Sequence, residues 1–143
     1  MTLTFDVIGT PVPQGSKVAY GRRIVDANAK TLKPWRATVA AAALEAIPTD
    51  WDATTGPYSV AMLFNFPRPK SHYGTRGVLP SRADDSHAQK PDVDKLIRAV
   101  LDALTDAGVW RDDAQVCDVL AGKRWTTDGG LLRVAVKHLA AAL

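Results

Sequence analysis

The sequence predicts a small mixed α/β domain of the α+β type: a mixed sheet of about four or five strands with two main helices packed on one face. Three observations lead there. Segment 93–107 carries Val93, Leu96, Ile97, Val100, Leu101 and Leu104 at helical spacing, one broad apolar stripe. Segment 131–139 alternates Leu132, Val134 and Val136 with Arg133, Ala135 and Lys137, the period of a strand with one covered face. The chain has 143 residues, 46% hydrophobic and 23% charged, enough for one core and too few for two, so residues 1–143 are expected to form a single domain.

The elements follow in order. Residues 2–8 read as a first strand, stopped by the two prolines and two glycines of the run 9–15. A short strand is expected at 22–25, and the Ala-rich run 35–47 reads as a helix closing before Pro48. Residues 58–66, aromatic and β-branched after Gly56-Pro57, make a central strand. The amphipathic helix ends at Gly108, the residue suited to a left-handed cap. Residues 115–125 and 131–139 read as two strands, and the run Thr126-Thr-Asp-Gly-Gly130 between them as a hairpin turn.

Composition excludes several classes. No continuous apolar run approaches the roughly 18 residues of a membrane span, and no basic-then-apolar leader opens the chain, so a cytoplasmic protein without membrane contact is expected. A single cysteine, Cys117, excludes an internal disulfide; inside a strand it is expected to be a small buried hydrophobe. His72, His87 and His138 show no paired spacing, which leaves a Cys/His zinc site without ligands. Oxygen ligands suited to Mg²⁺, with Mn²⁺ as a substitute, remain.

The most informative run is Lys90-Pro-Asp-Val-Asp-Lys-Leu-Ile-Arg98, followed after the helix by Asp112-Asp113. Crowded carboxylates raise one another's pKa unless a cation offsets them, and a divalent metal is the simplest offset. Helix caps explain one aspartate of the first pair and turn chemistry the second pair, but Asp92 and Asp94 together exceed what a cap needs. Arg98 and Asp102 stand four apart, spaced to pair across one turn. A helix from 93 to 107 carries Gly108 on the order of 20 Å from Asp94. Bringing Asp113 back therefore requires either a sharply folded return or a second subunit.

Segment 67–90 shows no period and holds Arg68, Lys70, Arg76, Arg82 and Lys90 against Asp84 and Asp85, with His72, Tyr73 and His87 interleaved. That charge suits a flexible arm gripping phosphates. Lys95, Lys123 and Arg124 extend the candidate DNA-binding set, and Trp125 beside them suits stacking on an unpaired base. Trp35, Trp51 and Trp110 are expected in the core. A net charge of +3 agrees with a polyanionic partner.

The run from Pro91 to Leu104 with Trp110-Arg-Asp-Asp-Ala-Gln-Val116 resembles the RusA family of Holliday-junction resolvases. The family pattern reads Asp-x-Asp-Asn-Leu, a basic residue a turn later, Asp-Ala-Leu, then Asp-Asp-x-Gln-Val. Asp92, Asp94, Leu96, Arg98, Asp102-Ala103-Leu104 and Asp112-Asp113-Ala114-Gln115-Val116 stand at matching spacing. Two positions depart: Lys95 replaces the Asn, and Arg98 replaces a catalytic Lys. Arginine stays protonated and clamps phosphate, so Arg98 is assigned to electrostatic stabilisation.

The resemblance implies an endodeoxyribonuclease of phage or prophage type, with Asp92, Asp94 and Asp113 holding Mg²⁺ and Asp112 outside the metal's ligands. Its substrate would be a four-way junction or other branched DNA, cut by paired symmetric nicks, and two symmetric cuts call for a homodimer. Two alternatives stand beside it: a non-catalytic branched-DNA-binding module, and a metal-dependent nucleotide phosphohydrolase. Against the latter, the chain has no Gly-rich phosphate loop of Walker type.

Overall fold

The computed structural model describes residues 1–15, 17–26 and 28–139. Strands β1 (Thr2–Ile8), β2 (Lys17–Tyr20) and β3 (Arg23–Asp26) precede helix α1 (Ala29–Ala46). Then come β4 (Tyr58–Pro67), the short β5 (Tyr73–Gly74) and β6 (Gly77–Val78), helix α2 (Val93–Asp106), β7 (Val116–Thr126) and β8 (Leu131–His138). The four-stranded sheet has the order β1-β8-β4-β7; β2-β3 and β5-β6 form separate two-stranded pairs. No helix among the described residues is long and apolar enough to cross a membrane.

β4 is central because its alternation is the cleanest in the chain: Tyr58, Val60, Met62, Phe64 and Phe66 are all buried on one face. α2 lays Leu96, Ala99, Val100, Ala103 and Leu104 on that face, and α1 adds Leu32, Trp35, Val39 and Ala43. The mixed sheet with two helices is the architecture expected. At about 25 cal/mol per Å² of apolar surface, burying each large side chain here contributes about 1.5–3 kcal/mol.

Four local expectations are corrected. The turn after β7 is not a hairpin: β4 lies between β7 and β8, parallel to the first and antiparallel to the second. Gly and Asp at 128–130 signal a reversal but not a partner, and the strand whose inward face is buried along its whole length takes an inner place. α1 begins at Ala29 rather than 35 and holds Pro34 inside it, with buried Leu32 and Trp35 pinning both sides of the proline. Cys117 is exposed, because β7 is the sheet edge. Segment 67–90 is organised: it carries a 3-10 turn at Lys70–His72 and the β5-β6 pair.

The organisation of 67–90 has a visible cause. Phe66 and Trp125 supply an aromatic platform. His87 stacks on Trp125 with ring centroids 3.9 Å apart and planes 9° apart, and His72 meets the same ring edge-on at 5.3 Å. Both histidines are buried. Arg68 donates to the carbonyls of Arg82 and Ala83, each at 2.8 Å, tying the two limbs together.

Candidate active site

α2 starts where Asp92 takes the extended conformation of a cap, yet its carboxylate accepts no capping hydrogen bond. Asp94 follows in the first turn, and both aspartates are exposed. The nearest cation to Asp92 is Lys95 Nζ at 3.8 Å, an exposed pairing worth little. Cap and first-turn positions explain where these residues sit but leave their oxygens for a ligand.

The Pro-rich loop after β1 docks on this end of the helix, the Gln14 N–H donating to the Lys95 carbonyl at 2.9 Å. A Cβ at Gly15 would stand 1.9 Å from Asn28 Oδ1, so a side chain there would have to displace the Asn28 amide, which donates to the Pro13 carbonyl at 2.8 Å. A cavity of about 600 Å³ lies between loop and helix, lined in part by Pro11, Gln14, Phe66, Lys90, Asp92 and Lys95.

From Asp94 the helix carries Arg98 and Asp102 along one i, i+4 row. Arg98 and Asp102 form no ion pair with each other; the paired carboxylate is Asp106, which accepts from Arg36 of α1 at 2.8 Å. Beyond the helix, Gly108 at φ +79° reverses the chain, and buried Val109 and Trp110 fasten the return against α2. Trp110 Nε1 donates to Thr105 Oγ1 at 2.8 Å, and the indole of Trp51 donates to the Val109 carbonyl.

The acidic pair then folds into a single 3-10 turn, Asp113–Gln115, capped by Asp112. Asp112 Oδ1 accepts from the Ala114 N–H, while Gln115 Oε1 accepts from the N–H groups of Arg111 and Asp112. Asp113 lies beside α2, bordering the same cavity as Asp102, Thr105 and Asp106. Its residue is exposed, but its carboxyl is desolvated enough to push the pKa up from 3.8. A hydrogen bond to Asp112 and the charges of Asp112 and Asp102 push the same way, with Arg98 opposing.

The structure thus brings Asp113, Asp112, Asp102 and Arg98 into one electrostatic group, and the three aspartates border a cavity of about 280 Å³ that also touches Arg36 and Arg111. Asp92 and Asp94 lie at the N-terminal end of the same helix. Among the described residues, no three of His, Cys, Asp and Glu stand together as a ready metal-holding group. Sequence reasoning missed Asp102 as a neighbour of Asp113 and Gln115 as the residue that shapes the acidic turn. The spacing Asp112-x-x-Gln115, a capping box in outline, was the available signal.

The cations expected to meet DNA divide. Lys70, Arg76 and Lys90 are exposed, and among the described residues none of them is ion-paired. Arg68 is spent on carbonyls, and Arg82 pairs with Asp85 at 3.1 Å. Lys123 Nζ donates to the carbonyls of Gln89 and Pro91. Arg124, next along an edge strand, faces the opposite side of the sheet and lies over Gly122. Trp125 gives one ring face to His87, so that face is closed to a nucleobase.

Comparison with known proteins places the chain in a family. The family model described as Endodeoxyribonuclease RusA matches residues 8–137. Over 51 residues the chain is 43% identical to the crossover junction endodeoxyribonuclease RusA of Escherichia coli strain K12, covering 36% of this chain and 42% of the relative. The crossover junction endodeoxyribonuclease of Enterobacteria phage 82 matches with the same identity and coverage. A similar segment of 48 residues is 44% identical to the protein of Escherichia coli O139:H28. The matched segment spans about two fifths of these curated relatives, 42% of the first two. With the family model spanning nearly all of the fold, the chain belongs to the RusA endodeoxyribonuclease family.

Proposed function

We propose that this protein is a cytoplasmic, Mg²⁺-dependent endodeoxyribonuclease that resolves four-way DNA junctions by paired, symmetric nicks, acting as a homodimer. The observation that carries the proposal is α2 itself: Asp92 at its cap, with no capping bond spent, and Asp94 in its first turn open a helix whose Arg98 and Asp102 act electrostatically on Asp113. Relatives whose names state a crossover-junction endonuclease activity are 43% identical to this chain over 51 residues, which supports the reading.

The residues fit Mg²⁺ rather than zinc. That ion keeps several waters and is held through one or two carboxylates plus substrate phosphates, so it does not need a dedicated protein cage. Asp92 and Asp94 would hold it, with Asp113 as the third carboxylate. Bound there, a divalent cation supplies Lewis-acid polarisation of the phosphate and an activated water. Arg98, permanently charged, opposes the negative charge that builds on the phosphate and lowers the pKa of Asp113. Asp102 and Asp112 act on Asp113 in the opposite sense, favouring its protonated form. Lys70, Arg76 and Lys90 supply phosphate contacts along the approach, with Lys95 beside Asp92, while Arg68, Arg82 and Lys123 are engaged within the protein and Arg124 lies on the other face of the sheet. The open face of the sheet, where Ile8 and Leu120 are exposed, supports pairing with a second copy.

The test is cleavage of an end-labelled synthetic four-way junction against linear duplex, with Mg²⁺ or EDTA, for wild type and Asp94→Asn. Paired symmetric nicks that disappear in EDTA and in the variant, with junction binding retained, are expected. Tight binding without cutting by the wild type would replace the proposal with a binding module. Indifference to DNA with phosphate released from nucleotides would replace it with a phosphohydrolase.

A further inference from the structure

We propose that Lys123 is a positioning residue for Asp92 and Asp94, holding the turn that delivers both carboxylates; the inference rests on the proposed function in assigning those two aspartates to the metal. Lys123 lies on the edge strand β7, opposite Phe64 of β4. Alternation along the strand sends it, with Ala121 and Trp125, to the face that carries α2. Its ammonium donates to the Gln89 carbonyl at 2.6 Å and to the Pro91 carbonyl at 2.9 Å, three residues and one residue before Asp92.

The two carbonyls matter because the Asp92 side chain makes no capping bond: its backbone carbonyl accepts the Leu96 N–H at 3.2 Å, and its carboxylate meets Lys95 Nζ at 3.8 Å, but neither contact fixes the residues that lead into the helix. The residues before Asp92 are held from outside the helix. Lys123 grips them from the sheet, and the Gln14 N–H grips Lys95 from the other side. Lys123 is half-buried with two of its three donors committed, an arrangement suited to charge-assisted bonds and unsuited to reaching a phosphate. The role is that of an outer residue orienting ligands it does not touch.

The test uses Lys123→Met, which keeps most of the stem and removes the donors, and Lys123→Arg, which keeps charge and donors. Lys123→Gln replaces the Met variant if the latter does not melt cooperatively. Three quantities are measured on the full chain: Mn²⁺ binding by calorimetry without DNA, amide exchange at Leu96 and Ile97, and the salt dependence of junction binding in EDTA. Losing an orienting residue typically weakens metal binding about 10–100-fold, so a loss in that range is expected for Lys123→Met, with faster exchange and an unchanged salt slope. Lys123→Arg should recover most of the affinity.

A salt slope lower by about one, with metal affinity and exchange unchanged, would make Lys123 a phosphate contact and overturn the inference. If wild-type protein binds no Mn²⁺, the metal reading fails separately. Amide exchange then decides this inference alone, and unchanged protection in Lys123→Met overturns it.

Discussion

Asp112 and Gln115 cap each other: the aspartate oxygen accepts from the backbone inside the turn, and the glutamine oxygen accepts from the Asp112 N–H at 3.1 Å. This reciprocal box holds Asp113 beside α2, and Gln115 Nε2 ties the turn to the Thr54 carbonyl at 3.0 Å. Gln115 is therefore expected to matter without touching substrate. Replacing a capping side chain by Ala typically costs about 0.5–2 kcal/mol, so Gln115→Ala should lower stability by that amount in chemical denaturation. Junction cleavage should fall more than junction binding. Cleavage at the wild-type rate would show that the turn keeps Asp113 in place without its box.

The pKa of Asp113 is raised by desolvation first, then by its hydrogen bond to Asp112 and the charges of Asp112 and Asp102, against the pull of Arg98. Removing a negative neighbour favours the charged form, so Asp102→Asn should lower the Asp113 pKa; removing the cation in Arg98→Met should raise it further. Carboxyl-detected NMR titration of the metal-free protein reads both shifts. Opposite movements of the two variants are required. An Asp113 resonance that titrates identically in both would mean these side chains do not share one electrostatic group.

Much of this was legible in residues alone, for a physical reason. β4, α2 and β8 are elements whose periodicity is enforced by burial, and burial is recorded in residue type. Strand partners are not so recorded: the turn after Trp125 gave a reversal, while the choice of β4 over β7 as neighbour of β8 depends on which strand the whole core covers. Segment 67–90 lacked any period because its order comes from histidines docking on Trp125 and Arg68 bridging its limbs, contacts made once each. At the site, clustered charge identified Asp92, Asp94 and Asp113. The partners of Arg98 and Asp102 depended on where the chain returned after Gly108.

The Arg36–Asp106 bridge joins α1 to α2 at 2.8 Å, but Asp106 is 55% exposed and water screens the pair. Exposed pairs contribute about 0–1 kcal/mol, so Asp106→Asn should change stability by no more than that. Leu104, two residues before Asp106 in the same helix and fully buried, is expected to behave differently. Leu104→Ala should cost about 2–5 kcal/mol through lost transfer and the cavity left behind. Urea denaturation of the two variants side by side checks the ranking, and a larger loss for Asp106→Asn would mean the helix pair is held by charge rather than packing.

Acid should loosen segment 67–90 before it unfolds the sheet. His87 is buried against Trp125 and Phe66, and desolvation, with the charge of Lys123 adding to it, holds its imidazole below the ordinary 6.5. The folded state therefore favours the neutral ring. That contribution to stability is complete above the unfolded value and is lost as pH falls through the lower folded one. Below that point a charged imidazole is disfavoured against Trp125 and Lys123, and the stack should open. Trp125 is one of four tryptophans, so the measurement is NMR of its indole N–H together with amide exchange across 67–90, from pH 7 downward. His87→Phe, which keeps a ring without a charge, should remove the transition. Exchange that accelerates equally in wild type and His87→Phe would assign the acid sensitivity to another group, with the His72–Asp85 contact at 3.9 Å the next to test.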